Sequence, residues 1–385
     1  MIKIAFIIIV LGVIAFIVYR TWSIITKKQS AIDALISIRD LIEQDDPESI
    51  NDALDKCIDI FSKITSDKDP LIFGEAKFQK GVCYLKLAQI CSRRDNINKA
   101  IDAFDKARWI FNKDKFPLEY ASISNNLGNA YRLLFEIVDT EENIVNAITA
   151  YQEVMEIKTE SAYPKEYAAT LSNLGNAYKA LAMATETENN LNIAITNYEA
   201  ALKLADIETS PIEYANIKNN LGTAYKMLSD IVEPEENIIK AIDAFEDALD
   251  VFTPEEYPYK YAVVLNNIGA SYSTLSVEKG IEVYEEALEI LSIDHQRPIE
   301  YAMVQNNIGN AYRSVPAIDT DDKMIQAVSA YEEALKVFTE DAHLYNHKIA
   351  LTNLEKAREK VTVHQNINLT LRIHLLKRIL DRETG

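Results

Sequence analysis

The chain has 385 residues, of which 59 are acidic and 40 are basic, so its formal net charge at pH 7 is −19. A surface this negative repels phosphates, which excludes nucleic acid as a principal partner. Three cysteines, an odd number, do not make a disulfide framework. Glycine and proline are few, and no low-complexity linker divides the sequence.

The amino-terminal segment is apolar. Residues Ile4 to Tyr19 carry no charge, and Tyr19 and Trp22 stand at the far edge of this segment like interfacial anchors. A membrane span needs about 20 residues, and the small-residue cleavage pattern of a signal peptide does not follow here. The sequence predicts an uncleaved transmembrane anchor with its flank in residues 1–28, and a cleaved signal peptide is the alternative.

Basic residues around this segment indicate its orientation. Arg20, Lys27 and Lys28 follow the segment, whereas Lys3 and the amino terminus precede it. The positive-inside rule then places the following residues in the cytoplasm. We expect a single-pass protein of the plasma or inner membrane with cytoplasmic repeats. The sequence is rich in asparagine and isoleucine, which is typical of an AT-rich prokaryotic genome.

Residues 29–69 follow as a degenerate first repeat. Helical periodicity runs from Ser30 to Ile64, and Ala53 lies 47 residues before Ala100, which belongs to a regular repeat. The stack of repeats is therefore predicted to begin almost at the anchor.

One phrase recurs through residues 70–358, for example PLEYASISNNLGNAY from Pro117 and PKEYAATLSNLGNAY from Pro164. Its glycines are spaced by 47 residues, except for one step of 40, and a period of this length indicates stacked units. These glycines are Gly81, Gly128, Gly175, Gly222, Gly269 and Gly309.

A second phrase, AIxAYxxAL in outline, follows each copy of the first. Leu127, Tyr131 and Leu134 in one phrase, and Ile148 and Tyr151 in the next, recur at the spacing of one helical face. Proline opens the first helix, where a missing N–H has no cost. Each unit is therefore predicted to be a pair of helices.

These two phrases together resemble the tetratricopeptide repeat (TPR) family, from about Pro70 to Arg358. The resemblance implies an all-α, right-handed α-solenoid of helix hairpins with a concave face that binds peptides or partner proteins. The family's usual unit has about 34 residues, so longer helices or connections are expected here. Gly280 follows Gly269 by only 11 residues, which predicts one shortened hairpin and a notch beside it.

The same resemblance indicates a binding groove. Positions three before and one after each repeat glycine lie on one helical side, with a basic residue three positions further on. Asparagine weakens a helix interior because its side chain competes for the hydrogen bonds of the backbone. Its repetition on one side therefore suggests a role in binding rather than in packing. The predicted peptide-binding residues are Asn125, Asn129, Arg132, Ser172, Asn176, Lys179, Asn219, Thr223, Lys226, Asn266, Asn306, Asn310 and Arg313.

Asparagine amides both donate and accept, so this row is expected to hold the backbone of an extended peptide, while the basic residues favour acidic segments. Ala270 and Ser273 interrupt both rows beside the notch. A neighbouring column of asparagines is expected only to bond adjacent helices, since buried amides are normally satisfied within a fold. This column consists of Asn126, Asn173, Asn220, Asn267 and Asn307.

The carboxyl-terminal residues 359–385 are predicted to form a helix that caps the last repeat. Leu369, Ile373 and Leu376 share one face, with basic residues beside them. A repeat face left uncovered would expose apolar surface, which favours the cap. An amphipathic helix that touches lipid or a partner is the alternative.

Residues that would indicate an enzyme are missing from the sequence. Cys57 and Cys83 fall at packing positions of the repeat. His343 and His347 are four residues apart without a third ligand nearby. Neither a catalytic triad nor a nucleotide-binding motif can be defended. We therefore expect no catalytic activity, no cofactor and no metal.

The sequence as a whole predicts a membrane-anchored TPR scaffold or adaptor that binds protein or peptide partners. An extracytoplasmic TPR accessory factor for assembly or secretion of a surface complex is the alternative.

Overall fold

A computed structural model describes residues 2–44, 46–90, 93–138, 140–185, 187–293, 298–315, 320–339 and 346–361. Over these ranges the chain forms α-helices and short connections, without a strand. Two compact units can be distinguished, Met1–Leu204 (unit 1) and Ala205–Gly385 (unit 2).

Unit 1 consists of helices that pair in chain order. They are α1 (Ile2–Glu43), α2 (Pro47–Lys63), α3 (Pro70–Ile90), α4 (Arg93–Ile110), α5 (Pro117–Val138), α6 (Glu141–Ile157), α7 (Pro164–Ala182) and α8 (Thr187–Leu202). Consecutive pairs pack through shared apolar clusters; one such cluster joins α5, α6 and α7 through Phe135, Tyr151 and Leu174.

Unit 2 continues the same alternation. Its helices are α9 (Pro211–Ser229), α10 (Pro234–Leu249), α11 (Pro258–Leu275), α12 (Val277–Ile293), α13 (Pro298–Ser314), α14 (Thr320–Val337) and α15 (346–361). One apolar cluster connects them and includes Phe245, Tyr284, Tyr331 and Leu354. The predicted all-α repeat of helix hairpins is confirmed in each unit.

The repeat glycines lie where the two helices of a hairpin come closest. A Cβ atom added to Gly175 would lie 2.6 Å from Cε1 of Tyr198, and one added to Gly128 would lie 2.5 Å from Cε1 of Tyr151. Such distances are shorter than real carbon contacts, so only glycine leaves room for the ring of the second helix at this position. The expectation of a close contact at Gly175 is confirmed.

The extra length of the repeat lies mainly in its first helices. Helix α5 has 22 residues, and α7 and α9 have 19 each. In the shortened hairpin a single residue, Ser276, connects α11 to α12. A Cβ atom added to Gly280 would lie 2.9 Å from the carbonyl oxygen of Gly269, so glycine is required for this tight connection too.

Helix α1 is continuous across the predicted boundary between the anchor and the first repeat. It extends from Ile2 to Glu43, and its residues Ala31, Leu35 and Ile38 pack in an apolar cluster with α2 and α3. The degenerate first repeat of residues 29–69 therefore begins inside α1, without a loop at residue 28.

The predicted membrane anchor lies mostly outside the described side chains, which in α1 begin at Phe16 and omit residue 17. Within the described part of the chain, no helix combines the length and the apolar character that a membrane crossing requires. The predicted carboxyl-terminal cap also lies outside the described residues from 362 onward. Both stay predictions.

The two described cysteines occupy packing positions, as predicted. Cys57 and Cys83 are free and have no exposed surface. Burial raises the pKa of each thiol to about 12, so both remain protonated and unreactive at neutral pH.

Candidate peptide-binding surface

The predicted binding residues follow one side of the first helices, which we call the asparagine face. In unit 1 it comprises residues of α5 and α7, and in unit 2 residues of α9, α11 and α13. All of these side chains are partly buried except that of Ser172, which is buried. The face therefore lies at the boundary between the helix packing and the solvent.

Tyrosines of the second helices fix one set of these asparagines. The hydroxyl of Tyr151 donates a hydrogen bond of 2.7 Å to Oδ1 of Asn129, and that of Tyr198 donates one of 2.8 Å to Oδ1 of Asn176. In unit 2, Tyr331 donates in the same way to Asn310 at 2.8 Å. Each ring packs against the repeat glycine, so its hydroxyl lies beside the residue that follows this glycine in the first helix.

Burial keeps these phenols in the donating form. It raises the pKa of Tyr151 and Tyr198 well above the ordinary value, and that of Tyr331 to about 12. A buried hydroxyl needs a partner, and the asparagine provides it. Where the ring is a phenylalanine, the residue after the glycine is not an asparagine: Val82 is the match of Phe104, and Thr223 is the match of Phe245. Tyr284 is an exception, since Ala270 stands at its matching position.

A second set of asparagines forms side-chain hydrogen bonds between the first helices of neighbouring repeats. Nδ2 of Asn173 donates to Oδ1 of Asn125 at 3.1 Å in unit 1. In unit 2 three equivalent hydrogen bonds of 2.9, 2.9 and 3.2 Å join neighbouring helices. Their donor and acceptor pairs are Asn267 and Asn219, Asn307 and Asn266, and Asn353 and Asn306.

The neighbouring column therefore bonds adjacent helices at Asn173, Asn267 and Asn307, as predicted. Asn126 instead donates to the carbonyl of Ser122 in its own helix. The expectation that the predicted binding column has no structural role is wrong, because its amide oxygens accept these hydrogen bonds. Its role in binding stays a prediction, and the hydrogen bonds determine which amide atoms are left for a ligand.

The amide atoms of the asparagine face that remain available to a ligand are hydrogen-bond donors. Oδ1 is occupied in Asn129, Asn176 and Asn310, and the Nδ2 groups of these three residues have no hydrogen-bond acceptor among the described residues. None of these nitrogens is a buried atom without a partner, so each is open to solvent. In unit 1, the two amide donors of Asn129 and Asn176 have a fixed orientation that suits the carbonyl oxygens of an extended peptide and carboxylates.

Acidic neighbours partly neutralise the basic residues of the face. Arg132 pairs with Glu136 at 2.5 Å, and Arg93 pairs with the same carboxylate at 2.6 Å. In unit 2, Lys226 pairs with Asp230 at 3.0 Å. Ion pairs at a surface contribute little energy, so an acidic ligand can compete for these cations.

Two predicted residues do not present polar groups as expected. The side chain of Ser172 is buried. The hydroxyl of Thr223 donates to the carbonyl oxygen of Asn219 in its own helix at 2.9 Å. The structure therefore brings together Asn129 and Arg132 on α5 with Asn176 and Lys179 on α7 as the best-formed part of the face in unit 1.

The charge of Lys179 is expected to depend on pH near neutrality. Burial, with the nearby charge of Arg132, lowers its pKa to about 8. Lys179 is therefore mostly charged at pH 7 and mostly neutral at pH 9. We expect the affinity for a fluorescent hexaglutamate peptide to fall over this interval at constant ionic strength, measured by fluorescence anisotropy.

The control for this prediction is Lys179→Arg, because arginine stays charged throughout that interval. Its affinity should not change between pH 7 and pH 9. An equal loss in both proteins, or no pH dependence in the natural protein, would contradict a contribution of Lys179 to the site.

Comparisons with known proteins establish the fold. No family model and no curated protein matches the sequence. The quorum sensor NprR from B. thuringiensis, in its apo form, is similar over 85% of this chain and 87% of its own, at 13% identity and a TM-score of 0.55. At this identity the similarity concerns the fold.

Two further solved structures are similar at lower scores. A Rap protein complexed with Competence and Sporulation Factor covers 87% of this chain and 99% of its own, at 11% identity and a TM-score of 0.48. The C-terminal part of a TPR repeat-containing protein from Cytophaga hutchinsonii covers 83% and 99%, at 14% identity and a TM-score of 0.41. With its repeated phrases and glycine-centred hairpins, the chain has the tetratricopeptide-repeat fold.

Proposed function

We propose that this protein is a membrane-anchored scaffold that binds extended, acceptor-rich segments of partner proteins on its asparagine face. The observation that carries the proposal is the fixed orientation of Asn129 and Asn176, whose oxygens are held by Tyr151 and Tyr198 and whose amide nitrogens face solvent. Amides spaced along consecutive helices bind a peptide backbone with little dependence on its side chains. Arg132 and Lys179 beside them favour acidic segments.

Membrane attachment is the second part of the proposal. Most of the described side chains of α1 before the first repeat are exposed although many are large and apolar, with Phe16 at 62%, Tyr19 at 67% and Trp22 at 63%. An exposed apolar stretch of this kind marks a surface that something else covers. The continuity of α1 supports a direct helical connection between the anchor and the first repeat. The proposed orientation places the repeats in the cytoplasm of a prokaryotic cell.

The proposed activity is binding without catalysis, and no cofactor enters into it. The alternative is an extracytoplasmic accessory factor for a surface complex. It would bind through the same asparagine face, but its repeats would lie on the outer side of the membrane. The orientation experiment described below distinguishes the two.

Capture of partners from the native membrane tests the binding role. The full-length protein and its Asn129→Ala/Asn176→Ala variant are purified from the same cells, and the co-purifying proteins are quantified. We expect specific partners to be lost from the variant while its helicity stays unchanged, because alanine is the better helix former. Its melting temperature should fall somewhat, because the hydroxyls of Tyr151 and Tyr198 lose their acceptors. As a matched control, Asn146→Ala changes an asparagine of α6 that lies outside the asparagine face. Equal recovery of partners with the double variant would place the binding site elsewhere.

A further inference from the structure

A lysine replaces a core residue in the third helix of unit 1. Lys80 immediately precedes the repeat glycine Gly81. The other repeats have a buried leucine or isoleucine at this position, namely Leu127, Leu174, Leu221, Ile268 and Ile308. A charged residue at a core position lowers stability, and such local violations concentrate at functional sites.

The neighbouring Lys77 lacks the acidic partner that its equivalent has. In unit 2, Lys218 occupies the position of Lys77 and pairs with Asp247 at 2.6 Å. The position of Asp247 corresponds to Lys106 in α4, so a basic residue replaces the acid. Other repeats are also acidic at this position, at Glu153, Glu286 and Glu333. Lys80 and Lys106 therefore differ from the matching residues of other repeats, and both add positive charge to one hairpin of a strongly acidic protein.

These lysines line a cleft of about 330 Å³ between α3 and α4. Lys77, Lys80 and Lys99 contribute to its walls, with Tyr84, Asn98 and Asp102. Asp102 pairs with Lys106 at 2.7 Å. Among the described residues, no carboxylate pairs with Lys77, Lys80 or Lys99. Burial, with the charges of Lys80 and Lys106, lowers the pKa of Lys77.

Aromatic rings hold the ammonium groups in place. Nζ of Lys77 lies 4.1 Å from the centroid of the Phe61 ring of α2. Nζ of Lys80 and Nζ of Lys99 lie 5.5 and 5.6 Å from the centroid of Tyr84. Cation–π contacts of this kind orient cations without neutralising them. The cleft therefore presents three positioned lysines that form no ion pair among the described residues, with Asp102 in the same wall.

We propose that this cleft between α3 and α4 binds a phosphate group. Convergent lysines match a compact, multiply charged anion better than a single carboxylate, and lysine serves as a point charge for phosphate. The amide of Asn98 is an additional donor at the rim. The phosphate group belongs either to a small soluble anion or to the headgroup of an anionic lipid.

Calorimetric titration of the full-length protein in neutral detergent tests this site. The probes are inorganic phosphate, pyrophosphate and dihexanoyl phosphatidic acid, with sulfate at equal ionic strength as the control anion. We expect saturable binding of at least one phosphate probe, tighter than that of sulfate. The tighter of the soluble and lipid probes identifies the source of the phosphate group.

Two variants separate binding from folding. Lys80→Leu restores the apolar residue of the other repeats, so it should keep or raise the melting temperature while weakening phosphate binding about tenfold or more. Lys106→Glu restores the acid next to Lys77 and should also weaken binding, whereas Lys165→Ala on α7 should have no effect. Binding of sulfate as tight as that of phosphate, no saturable binding, or unchanged binding by Lys80→Leu would overturn the proposal.

Discussion

Gly175→Leu should destabilise unit 1 by about 1 to 3 kcal/mol or more, measured by chemical unfolding. The added side chain meets the ring of Tyr198, which already lies 2.6 Å from the position of a Cβ atom. Tyr198 is fully buried in its hairpin and has little room to move. In a repeat protein this overpacking affects mainly the neighbouring repeats. Hydrogen exchange should therefore increase first in α7 and α8, with α1 and α2 still protected.

The control for this prediction removes the ring instead of the glycine. Tyr198→Ala leaves a cavity and is destabilising alone, but it makes room for the new leucine. The double variant should therefore lose less stability than the sum of the two single variants. Additive effects, or an unchanged unfolding free energy for Gly175→Leu, would contradict a close contact at this glycine.

We expect removal of the first 29 residues to abolish the proposed membrane attachment. The full-length chain is expected to remain in the membrane pellet after alkaline carbonate extraction. A chain that begins at Ser30 should be soluble and folded, because it keeps the packed residues Ala31, Leu35 and Ile38. Ile8→Arg/Ile14→Arg in the full-length chain is a matched variant, since each charge near the centre of a span costs about 2.5 to 3.5 kcal/mol.

The same experiment distinguishes the alternatives for this segment. If expression of the full-length chain gave a soluble, shortened product with a new amino terminus, the segment would be a cleaved signal peptide. For orientation, a cysteine introduced at the exposed position Ser66 is treated with a membrane-impermeant reagent on intact cells. We expect no labelling, and labelling from outside would support the extracytoplasmic accessory factor.

Much of the fold could be predicted because the repeat glycines, the prolines and the apolar spacing are local signals. Each of α3, α5, α7, α9, α11 and α13 begins at the proline of its phrase. The close contact at Gly175 also follows from the sequence, since a glycine that recurs in a helix indicates a packing constraint. The continuity of α1 was less accessible, because an apolar membrane segment and an amphipathic repeat helix have different patterns.

The sequence allowed the candidate binding residues to be assigned to one side of the helices, but their hydrogen-bond partners could not be predicted. A helical pattern assigns Asn129 and Asn125 to the same side without showing what lies beneath them. Tyr151, Tyr198 and Tyr331 were missed as parts of this surface, because aromatic residues at helical spacing predict core packing. The signal was present in the pairing of tyrosine with asparagine in three hairpins and of phenylalanine with another residue in two, although Tyr284 pairs with Ala270. Asn353 was also missed, although NLEKA repeats the NLGNA text with Glu355 in place of glycine.

A double-mutant cycle on Tyr151 and Asn129 tests most directly whether held amides bind the ligand. Affinities for the hexaglutamate peptide, and for a partner captured from the membrane, are measured with the natural protein, Tyr151→Phe, Asn129→Ala and the double variant. If Tyr151 acts by orienting Asn129, each single variant should weaken binding several-fold, and the double variant should bind no more weakly than Asn129→Ala. Unfolding measured in parallel should show a loss of about 1 kcal/mol for Tyr151→Phe. Unchanged affinity in Asn129→Ala, with folding intact, would contradict the account.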